Sequence, residues 1–429
     1  MTTTAATDVA ECGCPDGGPL TSTLRASRRG VLKGSALAGA TTMFGSTVVT
    51  MSGAPAAAGA ATSEAALVVI SLRGAADGLS LVVPHADPAY YAARPKIAVP
   101  KERLVAADGF FGLHPALAPL LPLWNAGRLA AVHATGLPVA NRSHFAAMEE
   151  LEDADPGSAA RVGWLNRMVG ASGRRSALGA VALGSTLPTS LVGPAAVMSF
   201  SSLDSAGVAG VNLRARSSNA RFASMRKQWA HAPGEMGAAF RTALGAVSDL
   251  GPAQAQADRA GLYPNSDLGL SLASVARTLR ANVGVRAVTV DSGDWDMHLE
   301  LGTHSSGWMV RNATDLARSL AAFFKDLGSV GDRVTVVTVS EFGRRVQENA
   351  NQGLDHGWGN VMFVAGAGVK GGRYYGTWPG LQNTLDADLP VTTDYRSVLA
   401  EVVSSRMGAS TAAVFPGFRP EHVGVMAGR

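Results

Sequence analysis

Three short stretches hold the side chains best suited to chemistry. Asp291-Ser-Gly-Asp294-Trp-Asp296-Met-His298 packs carboxylates and an imidazole into a few residues, and Ser340-Glu341-Phe-Gly-Arg344-Arg345 and Asp355-His356-Gly357 follow it. Mixed carboxylate and imidazole ligands without thiolates suit zinc, manganese, iron or calcium. A pair of such ions holds an attacking oxygen and a transferring phosphoryl group in line. Asp296 and His298 are two apart and share a face on an extended segment, whereas Asp294 and His298, four apart, meet on a helical turn. Asp355 and His356 either both turn toward a metal, or one does while the other orients it. The plainer alternative for the whole set is salt-bridged loop ends.

Further candidates lie upstream. Asp77 follows an apolar run in Arg73-Gly-Ala-Ala-Asp77-Gly78, as a ligand or as half of a turn dipeptide. Ser143, with His144 beside it, stands at the expected start of a helix over Phe145 to Leu151, where free amides and the helix dipole favour an anion. A serine there serves as an N-cap or as a nucleophile on a bound phosphate-like group. His114, ahead of Pro115, is a cap, a packed histidine or a site residue. Arg344, Arg345 and Lys370 are cations able to neutralise an anionic substrate, or else solvated surface charges.

The elements that must position these groups read as alternating strands and helices. Ala66–Leu72, Leu129–Ala134, Ala180–Leu183, Ala196–Phe200, Arg286–Asp291, Arg333–Val339 and Val361–Ala365 are apolar and strand-like, and several are rich in β-branched residues. Helical spacing runs through Leu117 to Trp124, Asn219 to about Ser248, Leu272 to Val283 and Thr314 to Leu327. Such alternation predicts an α/β domain with a doubly wound, mostly parallel sheet, and ligands gather beyond the carboxyl ends of its strands. The Gly/Ala/Ser-rich region at about 157–265 is expected to form a cap over the site. The run Gly366-Ala-Gly-Val-Lys370-Gly-Gly lacks the Walker spacing, and no Gly-x-Ser-x-Gly elbow is present.

Composition bounds the rest. The chain has 429 residues, 47% hydrophobic and 16% charged, enough for a large folded domain. Ser27-Arg28-Arg29-Gly-Val-Leu-Lys33, the weakly apolar stretch Ser35 to Thr50, and Ala58-Gly-Ala60 have the order of a twin-arginine export signal with its cleavage site. Residues 1–60 are therefore expected to be removed, leaving one α/β domain over 61–429 in the periplasm, cell envelope or extracellular space. Cys12 and Cys14 would go with them, which excludes disulfides and thiolate sites from the mature chain. The net charge of +4 is mild, with no basic patch suited to nucleic acid, and no later stretch is expected to span a membrane.

Taken together, Leu72-Arg-Gly-Ala-Ala-Asp-Gly-Leu79, Leu113-His-Pro-Ala-Leu117, Arg142-Ser-His-Phe145, Trp295-Asp-Met-His298, Ser340-Glu-Phe-Gly-Arg344, Asp355-His-Gly357 and Val369-Lys-Gly-Gly372 resemble the exported bacterial family known as domain of unknown function 1501. That family resembles the alkaline phosphatase and sulfatase superfamily. The second resemblance implies that Asp77, Asp296, His298, Asp355 and His356 hold a divalent metal and that Ser143 is the nucleophile, with His144 in the catalytic set. It further implies an exported hydrolase of phosphoric mono- or diesters acting on a small molecule or an envelope polymer. Glu341, Asp294, His114 and Arg344 are the further candidates. Two departures stand out: Asp77 sits several residues past its strand, and the superfamily's late histidine has no clear match, His422 being a poor candidate so close to the chain end. The Cys-x-Pro-Ser-Arg setting of sulfatases is absent, so a sulfatase-like hydrolase would lack its cysteine nucleophile. The alternative is an exported protein that kept the fold and only binds.

Overall fold

A computed structural model of the chain describes residues 42–44, 47–50, 65–172, 176–184, 186–207 and 216–428. The twin arginine, both cysteines and Ala58–Ala60 lie outside the described residues.

The strands in chain order are β1 (Thr42–Phe44), β2 (Thr47–Val49), β3 (Ala66–Leu72), β4 (Val82–Val83), β5 (Gly112–Leu113), β6 (Leu129–Gly136), β7 (Ala180–Leu183), β8 (Met198–Phe200), β9 (Ala287–Ser292), β10 (Val334–Val339), β11 (Asn360–Gly366), β12 (Arg373–Tyr375) and β13 (Thr393–Asp394). Among the described residues they build one mixed, mostly parallel sheet in the order β1-β2-β8-β7-β9-β3-β10-β11-β6-β12. β13 pairs with β6, and β4 with β5 forms a separate ribbon. Central β3 is buried along its whole length, as a continuous Ala-Leu-Val-Val-Ile-Ser-Leu run requires. Its side chains alternate between two cores: Val68, Ile70 and Leu72 enter one, Leu67 and Val69 the other.

Helices cover both faces. Asp267–Arg280 and Trp308–Leu327 bury Leu272, Val275, Leu316, Leu320 and Phe323 in the first core. His144–Asp153, Trp164–Ala171 and Tyr395–Val402 bury Met148, Leu151, Leu165, Val398 and Leu399 in the second. The parallel block β7-β9-β3-β10 therefore directs its carboxyl ends toward one edge.

Three features stand beside those expectations. β11 runs antiparallel to both β10 and β6, because no helix separates it from β10: residues 340–359 form a loop, and the chain returns without a crossover. Within the 157–265 stretch β7 and β8 join the main sheet, and Asp204 and Asp258 help line a cavity at its edge. Its helical part divides into Arg216–Trp229 and Gly234–Asp249 across Pro233, which lacks the amide needed to continue the first helix. β1 and β2 arise within the Ser35–Thr50 stretch expected to be the apolar part of an export signal, and β2 pairs with β8 at the end of the sheet. No helix among the described residues is long and apolar enough to cross a membrane.

Candidate metal centre

The loops after β3, β9 and β10 meet backbone to backbone. Gly74, with φ +107°, brings the β3 loop against the chain at Trp295 and Asp296, where a Cβ would lie 2.5 Å from the Asp296 nitrogen. Gly343 has the same necessity from the other side, since a Cβ there would approach the Gly359 oxygen to 1.8 Å. The closeness lets Gly343 N–H donate to Trp358 and Gly357 N–H to Gly343, both at 2.8 Å, and sets Arg344 opposite His356 in an antiparallel bridge. Buried Phe342 supports the rings of His144 and His356, with centroids 4.9 Å from each.

Three imidazoles converge at this junction. His144 Nε2 lies 3.0 Å from His356 Nε2, which lies 2.9 Å from His298 Nε2. Every opposite ring nitrogen is already engaged: His144 Nδ1 with Glu341 Oε1 at 2.9 Å, His298 Nδ1 with Asp355 Oδ1 at 3.2 Å, and His356 Nδ1 with the Arg142 carbonyl at 2.9 Å. A carbonyl only accepts and an ionised carboxylate only accepts, so each Nδ1 carries the proton. In the neutral rings the Nε2 lone pair of His356 then faces those of His144 and His298, each across about hydrogen-bond distance. Asp296 adds a carboxylate, with Oδ1 3.2 Å from His298 Nε2 and Oδ2 3.7 Å from His144 Nε2.

A divalent cation among these groups would meet lone pairs and a carboxylate, beside the Arg344 guanidinium that already bonds Asp296. His144, Asp296 and His356 can together present ligand atoms to one metal ion, being within 4.8 Å of one another. At metal–nitrogen distances near 2.0–2.1 Å, two imidazoles on a tetrahedral ion stand about 3.3 Å apart, so a small outward shift of the rings accommodates one. The acceptors on each Nδ1 fix tautomer and ring orientation, as supports of metal-bound histidines do. The donor set therefore fits a divalent ion.

The electrostatics keep the acids charged. Burial works against the Asp296 carboxylate, but the hydrogen bond and the charge of Arg344 hold its pKa far below the usual range. Arg344 Nη2 donates to Asp296 Oδ1 at 2.5 Å. Burial likewise opposes charge on Glu341, outweighed by the bond from His144 and by backbone amides, among them Gly74 N–H at 2.8 Å. Asp355 is held low by Asn349 and His298 against its own burial. His298 is depressed by burial and by Arg344, which favours the neutral, ligating ring.

The sequence candidates thus separate. Asp296, His298, His356 and His144 form the cluster; Asp355 and Glu341 hold two of its rings; Arg344 ties Asp296 to the carbonyls of Gly74, Ala75 and Leu354. His144, expected in the catalytic set beside Ser143, contributes its ring to the ligand group. Ser143 occupies the N-cap position, yet its hydroxyl makes no capping bond and it lies exposed at the rim. Asp77 stands outside the cluster: both its oxygens pair with buried Arg94, at 2.5 and 3.0 Å, and it caps the Gly78–Leu81 turn. Its remove from the strand end places it on the wrong side of that turn. Asp294 pairs with Arg311 at 3.1 Å. His114 is fully buried, its Nδ1 accepting from Ala116 N–H. Arg345 meets Asp386 and Asp388, and Lys370 is exposed.

Some contributors carry no sequence signal. The Arg142 carbonyl is backbone, and Asn349, which donates to Asp355 at 3.0 Å and to the His298 carbonyl at 2.8 Å, sits in an ordinary polar turn. Arg94 is an isolated cation whose partner is 17 residues away.

The chain belongs to the family described as "Protein of unknown function (DUF1501)", which matches residues 64–405 and so contains every member of the cluster. No curated protein matches it.

Proposed function

We propose that this member of the family is an exported, metal-dependent hydrolase of phosphoric esters. The observation that supports this reading is the gathering of His144, Asp296 and His356 ligand atoms within 4.8 Å of one another, with His298 Nε2 2.9 Å from His356 Nε2. His144, His298, His356 and Asp296 would hold one divalent ion. A bound ion supplies Lewis-acid polarisation of a phosphoryl oxygen and charge neutralisation.

The chain's own groups supply the remainder. Ser143 presents an uncapped hydroxyl at the start of the His144–Asp153 helix, whose first backbone bond to Ser143 comes only from Ala147. The preceding amides and the helix dipole favour an anion at that point. The Ser143 oxygen forms a bond to phosphorus as the ester P–O bond breaks, and the hydroxyl proton ends on the departing alcohol. Water then cleaves the phosphoserine, returning serine and phosphate. Arg344, buried behind Asp296, keeps that carboxylate ionised and oriented.

A second reading, binding without turnover, draws on the Arg344 guanidinium, which already engages Asp296 Oδ1 and approaches His298 Nε2 to 3.5 Å. One experiment separates them: metal content by mass spectrometry with p-nitrophenyl phosphate and bis(p-nitrophenyl) phosphate turnover, on wild type and Ser143→Ala. Stoichiometric metal with turnover lost in the variant supports the hydrolase. Metal without turnover supports binding alone, and a well-folded protein that takes up no metal overturns the hydrolase and leaves the binding reading.

A further inference from the structure

A cavity of about 660 Å³ opens beside the cluster, at the carboxyl ends of β7 and β9. Its volume is within the range of about 300–1,000 Å³ typical of small-molecule sites. β9 links the two places: Asp291 and Gly293 line the cavity, and the same chain continues to Asp296 and His298. β9 and β10 flank β3, so the cavity at β7 and β9 and the loops of the cluster belong to the same edge of the sheet.

The wall is polar in a particular way. Asp267, Ser271 and Ser274 recur at four and three residues along the Asp267–Arg280 helix and share one face, while Leu268, Leu272 and Val275 of the same helix are buried. Asp258 and Asp291 add carboxylates. The lining's one cation, Arg277, is committed to Asp204, at 2.9 and 3.0 Å, and to the Gln254 and Gln256 carbonyls. Asp291 accepts from Arg73 Nε at 3.0 Å, but Arg73 also serves Glu152, so the cavity keeps an excess of negative charge. An anion is repelled there, and the phosphoryl group is left to the cluster.

We infer that this cavity binds a hydroxyl-rich group bearing an amine, the amine toward Asp267 and Asp258 and the hydroxyls toward Ser271 and Ser274. On the hydrolase reading, on which this rests, that group is the alcohol released from the phosphoric ester. The size of this half-open cleft, the helical face of hydroxyls and the sign of the wall agree on one ligand chemistry, an amino sugar or comparable amino polyol.

The test uses glucosamine, glucose and glucuronate, one ring in cationic, neutral and anionic form, titrated into the metal-loaded protein by calorimetry or ligand-observed NMR. The expected order of affinity is glucosamine, glucose, glucuronate, with at least tenfold between the extremes. Asp267→Asn is expected to remove most of that discrimination. Ser274→Leu, which fills the cavity from the next turns, is expected to weaken all binding, and unchanged thermal unfolding shows that both variants fold. Equal affinity for the three sugars, or none for any, overturns the assignment even if p-nitrophenyl phosphate is hydrolysed. Selective glucosamine binding in a protein that hydrolyses no phosphoric ester leaves the cavity's specificity standing and removes its leaving-group role, so the two failures are distinguishable.

Discussion

Histidines occupy two contrasting regions of this molecule. At the loop junction His144, His298 and His356 are partly exposed, each Nδ1 held by an acceptor and each Nε2 turned inward. In the lobe around β5 and β6, His114 and His133 are buried, and each has a ring nitrogen with no hydrogen-bond partner: Nε2 of His114, Nδ1 of His133. His133 instead lies against Phe111, 4.5 Å between ring centroids, and Trp378. Residue type does not distinguish the groups. What differs is the disposition of the second nitrogen: the supported rings turn theirs toward one another around His356, whereas an isolated ring in apolar surroundings is packing that accepts an electrostatic penalty.

Removing a converging ring should have the largest effect. His356→Ala is expected to abolish retention of metal through dialysis, because His356 is the central ring, in contact with both others. His114→Asn should retain it fully, the asparagine still capping Ala116. Metal content by mass spectrometry, with far-ultraviolet dichroism to confirm folding, decides the matter. Equal retention in the two variants would erase the distinction between the regions.

Next comes the carboxylate that looked like a ligand. Asp77→Ala leaves the Arg94 guanidinium buried without its counter-ion, and breaking a pair of this kind costs about 3–5 kcal/mol. The urea midpoint should fall accordingly, while the folded fraction still binds metal. Loss of metal without loss of stability would return Asp77 to the site.

Acid separates the histidines a third way. Burial lowers the pKa of His114 from 6.5 to about 4, with a further push from His304; His133 is lowered to about 4 by burial, opposed by Asp108. Between those values the unfolded chain binds protons that the folded chain refuses, so stability is whole above about 6.5 and declines as pH falls toward 4. Each ring contributes about 3 kcal/mol to that decline. Chemical denaturation at pH 7.5, 5.5 and 4.5 should show His114→Asn losing about 3 kcal/mol less than wild type across the window; parallel losses would mean that His114 does not titrate there.

The chemistry was legible in the sequence to the extent that it lay in short stretches. Ala66–Leu72 and Ala180–Leu183 show their strands in full, since a buried parallel strand is a continuous apolar run. Asp296, His298 and His356 were visible because ligands collect just beyond such runs. Asp77 looked equivalent by the same rule, and only Arg94, brought close by the Pro88–Ala93 helix, reveals its other use. The direction of β11 depended on the absence of a helix in residues 340–359, which periodicity marks poorly in a loop rich in Gly and Asn. The Arg142 carbonyl is backbone, so no residue type announces it.

The smallest effect is the sharpest test of how the site histidines are supported. Glu341→Gln leaves an oxygen able to accept from His144 Nδ1 but removes the charge that makes the ring more basic. Removing such a partner typically lowers metal affinity 10–100-fold, about 1.4–2.7 kcal/mol. Asp355→Asn should act similarly through His298, the two losses adding incompletely because both rings would hold one ion. His356, supported by a carbonyl that no side-chain substitution removes, provides the internal standard. Competitive titration against a chelator of known affinity measures each step. If neither variant weakens binding, the carboxylates only position the rings, and the site histidines differ from the buried ones by geometry alone.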